Sequence, residues 1–127
     1  MHTELIDPIL DASYKGYPHT QPPRARSTVG AAGWNVLAGD LPLPLAVIRQ
    51  GALAHNLTWM QRYTQAQGIE LAPHGKTTMS PQLFARQLDA GAWGISFATV
   101  AQLAIGVAAG VRKALSANQV MQADDLT

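Results

Sequence analysis

The sequence has 127 residues, 47% of them hydrophobic and 13% charged, which is long enough to bury a core and too apolar for a disordered chain. Nine Lys plus Arg against eight Asp plus Glu give a formal net charge of +1 with no basic block, so nucleic acid is not expected as a partner. The absence of cysteine excludes a disulfide framework, a thiolate metal site and a thiol nucleophile, and fits a reducing compartment.

The chain opens with Met1-His2-Thr3-Glu4-Leu5-Ile6-Asp7, which lacks the basic start and apolar run of a secretory signal. Arg, Gln, Gly and Pro interrupt every candidate for the ~18 to 20 apolar residues of a membrane span. A cytoplasmic protein with no membrane partner is therefore expected. Residues 1–43 hold Pro8, Pro18, Pro22, Pro23 and Pro42 with Gly16, Gly30, Gly33 and Gly39 and show no sustained period, so they read as an irregular leader. Its Tyr14, Tyr17 and Trp34 suggest packing against a body, either a barrel or a second domain, since disordered tails are poor in such side chains.

From residue 44 onward a rhythm of apolar run, amphipathic stretch and glycine sets in. Leu45-Ala46-Val47-Ile48 reads as a strand buried on both faces. Leu53, Leu57 and Met60 share one helical face, and that helix is expected to stop at Gly68, a residue suited to the left-handed cap. Ile69-Glu70-Leu71-Ala72 is the second strand expected. Ser80-Pro81 is an N-cap followed by proline at the first helical position, opening a helix that runs to Ala90-Gly91. Gly94-Ile95-Ser96-Phe97 is the third strand, and Thr99-Val100-Ala101-Gln102 matches a capping box for a helix reaching Gly110. Lys113-Ala114-Leu115-Ser116-Ala117 is a fourth, weaker strand. Ala123-Asp124-Asp125-Leu126-Thr127 has the acidic composition of a first helical turn, and the pattern there looks cut off.

About four strand–helix units joined by short connections imply a parallel α/β sheet with right-handed crossovers. An open doubly wound sheet and part of an eight-fold barrel both satisfy this pattern. A whole barrel takes ~250 residues, so the chain would supply about half of one.

The stretch from Leu71 to Pro81, which contains Pro73-His74-Gly75-Lys76-Thr77-Thr78, falls between the second strand and its helix. In parallel α/β folds this is where ligands bind. Lys76 is one of three lysines and follows an apolar strand directly. Partial desolvation there would favour a neutral amine able to form a Schiff base with a carbonyl; the alternative is a solvated surface charge. Gly75-Lys76-Thr77 also ends like a phosphate-binding loop, but Glu70 stands where G-x-x-x-x-G-K-[ST] needs glycine, which excludes a nucleotide triphosphatase.

From Pro44 through Val120 the sequence resembles the amino-terminal part of the fold-type III pyridoxal-phosphate enzymes, in the branch of D-serine dehydratase, D-threonine aldolase and related amino acid deaminases that shares the alanine racemase barrel. The resemblance rests on Pro44-Leu45-Ala46-Val47, Asn56-Leu57, Pro73-His74-Gly75-Lys76-Thr77, Asp89-Ala90-Gly91-Ala92-Trp93-Gly94-Ile95, Ala98-Thr99-Val100-Ala101-Gln102 and Ala117-Asn118-Gln119-Val120, in order and spacing. Thr78 stands where relatives often carry histidine, and Gln102 where glutamate is common.

The resemblance implies the amino-terminal half of a (β/α)8 TIM-type barrel over residues 44–127, preceded by the leader. It implies that Lys76 carries pyridoxal 5'-phosphate as an imine and shuttles a proton at the substrate α-carbon, with the cofactor as electron sink. His74 and Thr77 would orient the lysine or contact the cofactor, and Asn118 would lie at the same mouth; a surface or capping histidine and a turn-capping asparagine are the plain alternatives. The expected reaction is dehydration and deamination of a D-3-hydroxy amino acid such as D-serine to a 2-oxo acid and ammonia, with retro-aldol cleavage as the sister outcome. A noncatalytic cofactor-binding or interaction module is the reading of a different class. Relatives are expected to be homodimers, and zinc occurs in the family, but His2, His19 and His55 lack ligand spacing and no metal is assigned to these residues. The chain is expected to be an amino-terminal fragment without activity of its own.

Overall fold

The computed structural model of the protein describes residues 7–126. Expectations that fall on residues 1–6, His2 among them, and on Thr127 lie outside the described residues. The chain divides into two compact units, Met1–Ile48 and Arg49–Thr127.

In the first unit, β1 (Ile9–Leu10) and β2 (Arg24–Ala25) form a two-stranded antiparallel pair with Ile9 opposite Ala25 and Leu10 opposite Arg24. Two 3-10 turns follow, Arg26–Ala32 and Val36–Ala38. Two of its aromatic side chains, Tyr17 and Trp34, pack on one another, while Tyr14 is exposed. Tyr17 is buried, meets Trp34 edge-on with ring centroids 5.4 Å apart, and donates its hydroxyl hydrogen to the Pro22 carbonyl. The Arg24 guanidinium lies 5.2 Å from the Trp34 ring centroid, a cation–π arrangement. The Asp7 carboxylate accepts the Ser27 N–H at 2.7 Å and the Ser27 hydroxyl at 2.8 Å, fastening the start of this segment to its 3-10 turn. Residues 45–48 do not form the expected strand. Val47 and Ile48 are 61% and 65% exposed, and the segment has no ladder partner among the described residues. Apolar composition marks a segment for burial, but a strand exists only where a neighbouring backbone completes its hydrogen bonds.

The second unit is α/β. It runs α1 (Gln50–Gln67), α2 (Pro81–Asp89), β3 (Ile95–Phe97), α3 (Val100–Ala108) and β4 (Ala114–Ser116). Helix α1 ends where the sequence places its stop: Gly68 takes φ +65° and its N–H caps the carbonyls of Thr64 and Gln65. Helix α2 begins on Ser80, whose hydroxyl accepts the Leu83 N–H, with Pro81 at the first turn. Helix α3 begins on Thr99, whose hydroxyl accepts the Gln102 N–H at 3.2 Å. The Gln102 amide oxygen reaches back to the Ala98 N–H at 3.0 Å, one residue before the position that a capping box serves. The acidic segment near the end forms a 3-10 turn, Ala123–Leu126.

Strands β3 and β4 pair in parallel, Ile95 with Ala114 and Phe97 with Ser116. The expected second strand, residues 69–72, is not formed; the segment's one parallel bridge falls two residues later, His74 with Ser96. The segment is held to β3 by the Trp93 N–H on the Leu71 carbonyl and the Ser96 N–H on the Pro73 carbonyl. Pro73 has no N–H to return, so the ladder cannot be completed there. The core lies beneath β3. Phe84, Ile95, Phe97 and Val111 are buried, and Met79, Leu88, Leu103, Ala109 and Ala114 pack around them. The rings of Phe84 and Phe97 meet edge-on at 5.5 Å, a favoured aromatic geometry. No helix among the described residues is long and apolar enough to cross a membrane.

Candidate active site around Lys76

Three parallel segments lie side by side in the order 71–74, β3, β4, so their carboxyl ends share one edge of the sheet. The turn bearing Lys76 follows the first segment, Ala98 and Thr99 follow the second, and Asn118 follows the third. This is the edge on which parallel α/β proteins mount their ligands.

Lys76 sits in a single 3-10 turn, Gly75–Thr77, fixed from three directions. Gly75 is buried against the core so closely that a β-carbon there would come 2.5 Å from Ile95 Cγ2, 2.7 Å from Phe97 Cε1 and 3.1 Å from Phe84 Cε1. His74 is bridged to Ser96 by the main chain, and its Nδ1 lies 2.7 Å from the Ser96 hydroxyl. The Thr77 hydroxyl donates to the His74 carbonyl at 3.1 Å, and the Met79 and Thr78 N–H groups close on the Gly75 carbonyl.

Lys76 itself is exposed, contrary to the expected partial desolvation. The residue of the turn that faces the core is Gly75, and successive residues of a 3-10 turn are rotated by about a third of a circle, which carries the next side chain away from that core. Its ammonium group has no hydrogen-bond or ion-pair partner among the described residues, so no neighbouring carboxylate ties it down.

The structure thus brings His74, Lys76 and Thr77 together in one turn. Asn118 is placed two segments away along the same edge. Its amide donates to the Ala98 carbonyl at 3.0 Å, and its own carbonyl accepts the Ser116 hydroxyl at 3.1 Å. No hydrogen bond joins it to Lys76. A cavity of about 260 Å³ opens beside it, lined by Ala98, Thr99, Ser116, Asn118 and Val120 among others. A second hollow of about 250 Å³, between α1 and α2, is lined by Leu53, Leu57, Met60, Leu71, Gln87 and Ala92 among others, and no titratable side chain lines it. Among the described residues no three His, Asp or Glu side chains gather as metal ligands.

Two residues matter more to the site than their sequence context indicates. Gly75 belongs to a motif by sequence, yet it seats the turn on the core. Ser96 is by sequence one residue of an apolar strand, yet its hydroxyl meets His74. The signal for it was present, because a lone hydroxyl inside a buried strand needs a partner.

As to the cofactor that the resemblance implies, the residues present fit its covalent anchor: a primary amine free of competing partners, on a turn that the core holds still. No family model matches the chain. Over 77 residues, 61% of this chain and 20% of the other, it is 39% identical to D-threo-3-hydroxyaspartate dehydratase of Delftia sp. (strain HT23). The crystal structure of D-threonine aldolase from Filomicrobium marinum matches 68% of this chain and 24% of that one, with a TM-score of 0.66 and 28% identity. The chain therefore spans about a fifth to a quarter of the length of these relatives. On that part of their length, the matches to a dehydratase and an aldolase support the same family that the motifs around Lys76 resemble, the fold-type III pyridoxal-phosphate enzymes.

Proposed function

We propose that these residues supply the cofactor-bearing lysine of a pyridoxal-phosphate-dependent lyase acting on D-amino acids. The observation that carries the proposal is the unpartnered Lys76 on a turn clamped by Gly75 to the core and by His74 to β3, at the carboxyl edge of a parallel sheet. The segments 71–74, β3 and β4 are then consecutive strands of the first half of a (β/α)8 barrel. The chain spans a fifth to a quarter of the relatives' length, and a homodimer is the assembly that the resemblance suggests.

When bound, pyridoxal phosphate would supply an electron sink for negative charge at the substrate α-carbon. The Lys76 amine would hold the cofactor and, in dehydration, would act as the base that takes the α-proton; in retro-aldol cleavage, where the bond to the β-carbon breaks instead, it would deliver a proton to the α-carbon. Its exposure gives it access to a carbonyl, and the fixed turn limits where its nitrogen can travel, the positional advantage that catalysis exploits. Thr77 closes the turn through its hydroxyl, and Asn118 fixes the carboxyl end of β3 through Ala98. Both are proposed to border the bound cofactor, as is His74.

Dehydration is the first reading, because the curated relative is a dehydratase of a 3-hydroxy amino acid: the β-hydroxyl leaves as water, and hydrolysis of the resulting enamine yields a 2-oxo acid and ammonia. The match to an aldolase structure favours retro-aldol cleavage as the second. The test is product analysis for the protein that carries these residues, with D-threo-3-hydroxyaspartate, D-serine and D-threonine. Ammonia and 2-oxo acid in equal amounts support dehydration, glycine and an aldehyde support cleavage, and a turnover unchanged by Lys76→Ala overturns both.

A further inference from the structure

The hydrogen bond between Ser96 and His74 specifies more than a contact. Ser96 is 1% exposed, and the hydroxyl's one partner among the described residues is Nδ1 of His74, at 2.7 Å. A hydroxyl carries one hydrogen, and a buried O–H left without an acceptor costs about 1–3 kcal/mol. If Nδ1 bore the ring hydrogen, the hydroxyl would accept it and its own hydrogen would have nowhere to go. The satisfied arrangement is the reverse, with the hydroxyl donating to a bare Nδ1. A neutral imidazole then carries its single hydrogen on Nε2, the ring nitrogen that no described residue engages.

We propose that Ser96 is a positioning residue that locks His74 in the Nε2–H tautomer, so that a fixed N–H donor stands two residues before Lys76 for an anionic oxygen of the group bound there. The tautomer is argued from the hydrogen bond and the burial of Ser96; the role of its free N–H rests on the cofactor reading above. The backbone supports the lock. The Ser96 N–H bonds the Pro73 carbonyl at 2.8 Å, Ser96 and His74 are paired across the parallel bridge, and the Thr77 hydroxyl holds the His74 carbonyl. A serine serving only to fill space could be replaced by alanine without changing the ring's protonation pattern.

The test is nitrogen NMR of the full chain labelled with 15N-histidine, at about pH 9, above the ordinary imidazole range. His74 is assigned among the four histidines by comparison with His74→Gln. The wild-type protein should show protonated Nε2 and bare Nδ1 at His74. Ser96→Ala should show both tautomers in exchange, and Ser96→Thr, which retains the hydroxyl, should restore the single form. A hydrogen on Nδ1 in the wild type overturns the proposal without any variant, as does a Ser96→Ala spectrum identical to wild type.

The second arm is pyridoxal phosphate binding by absorbance, followed by borohydride reduction. Ser96→Ala should bind several-fold more weakly while Lys76 remains the labelled lysine. Equal binding by the two proteins overturns the role assigned to the free N–H. Failure of Lys76 to be labelled in the wild type overturns the cofactor reading and with it that role, while the NMR result decides the tautomer independently.

Discussion

Gly75→Ala isolates the contact that seats the lysine-bearing turn. Carbon atoms in ordinary contact stand about 3.5–4.0 Å apart. A β-carbon on residue 75 would meet Ile95 Cγ2 at 2.5 Å and Phe97 Cε1 at 2.7 Å, roughly 1 Å too close to each. Neither can retreat, since Ile95 is 0% and Phe97 1% exposed and Phe97 is braced edge-on by Phe84. The turn must therefore lift. Its internal bonds to the Gly75 and His74 carbonyls travel with it, and the strain falls on the seam to β3, the 2.8 Å bond between Ser96 and Pro73 and the 2.7 Å bond between His74 and Ser96.

Overpacking of this kind costs about 1–3 kcal/mol. With a urea dependence of about 2 kcal/mol per molar, the unfolding midpoint should fall by about 1 M. Gly51→Ala is the control. It lies in α1 with no atom within 4 Å of its added β-carbon, and the same chemical change should stabilise the helix by about 0.5–1 kcal/mol. A displacement near 1 Å should also lower reaction at Lys76 by as much as ~100-fold. If Gly75→Ala unfolds at the wild-type midpoint or above it, the turn does not rest on the core as described.

Phe84→Ala removes a ring that is 1% exposed and its edge-on partner contact, and should lower stability by about 3–5 kcal/mol, measured by denaturant titration. Gly94→Ala places a β-carbon onto the Lys113 carbonyl, across the pairing of β3 with β4. It should cost about 1–3 kcal/mol and increase amide exchange at Ile95, whose N–H bonds that carbonyl. The main-chain N–H of Ser27, then its hydroxyl, with the Arg26 charge adding to them, hold the Asp7 carboxyl below its ordinary 3.8. A depressed carboxyl contributes stability above pH 3.8 that is lost as pH falls through the lower folded value. NMR titration should therefore find the Asp7 midpoint below 3.8, with Ser27→Ala moving it part of the way back, because the N–H remains.

The helix boundaries were legible in the sequence because they are written in local chemistry. Gly68 stops α1, Ser80-Pro81 starts α2 and Thr99 starts α3, each through groups within a turn of one another. The strands were less so. Residues 69–72 have the apolar composition of a strand, but Pro73 withholds a donor, and residues 45–48 have that composition without a neighbour to pair with among the described residues. Pairing is a property of two segments, and composition reports on one. The same distinction governs the site. The loop carrying Lys76 was found from its position after an apolar run, whereas its exposure depends on which residue of the turn faces the core. That residue is Gly75, selected by Ile95, Phe97 and Phe84 from segments well removed in sequence.

The most direct measurement is borohydride reduction of the protein in the presence of pyridoxal 5'-phosphate, followed by peptide mapping of the three lysines, Lys15, Lys76 and Lys113. The account predicts that the cofactor mass is found on the peptide containing Lys76 and disappears in Lys76→Ala. Label on Lys15 or Lys113 with none on Lys76 would contradict it.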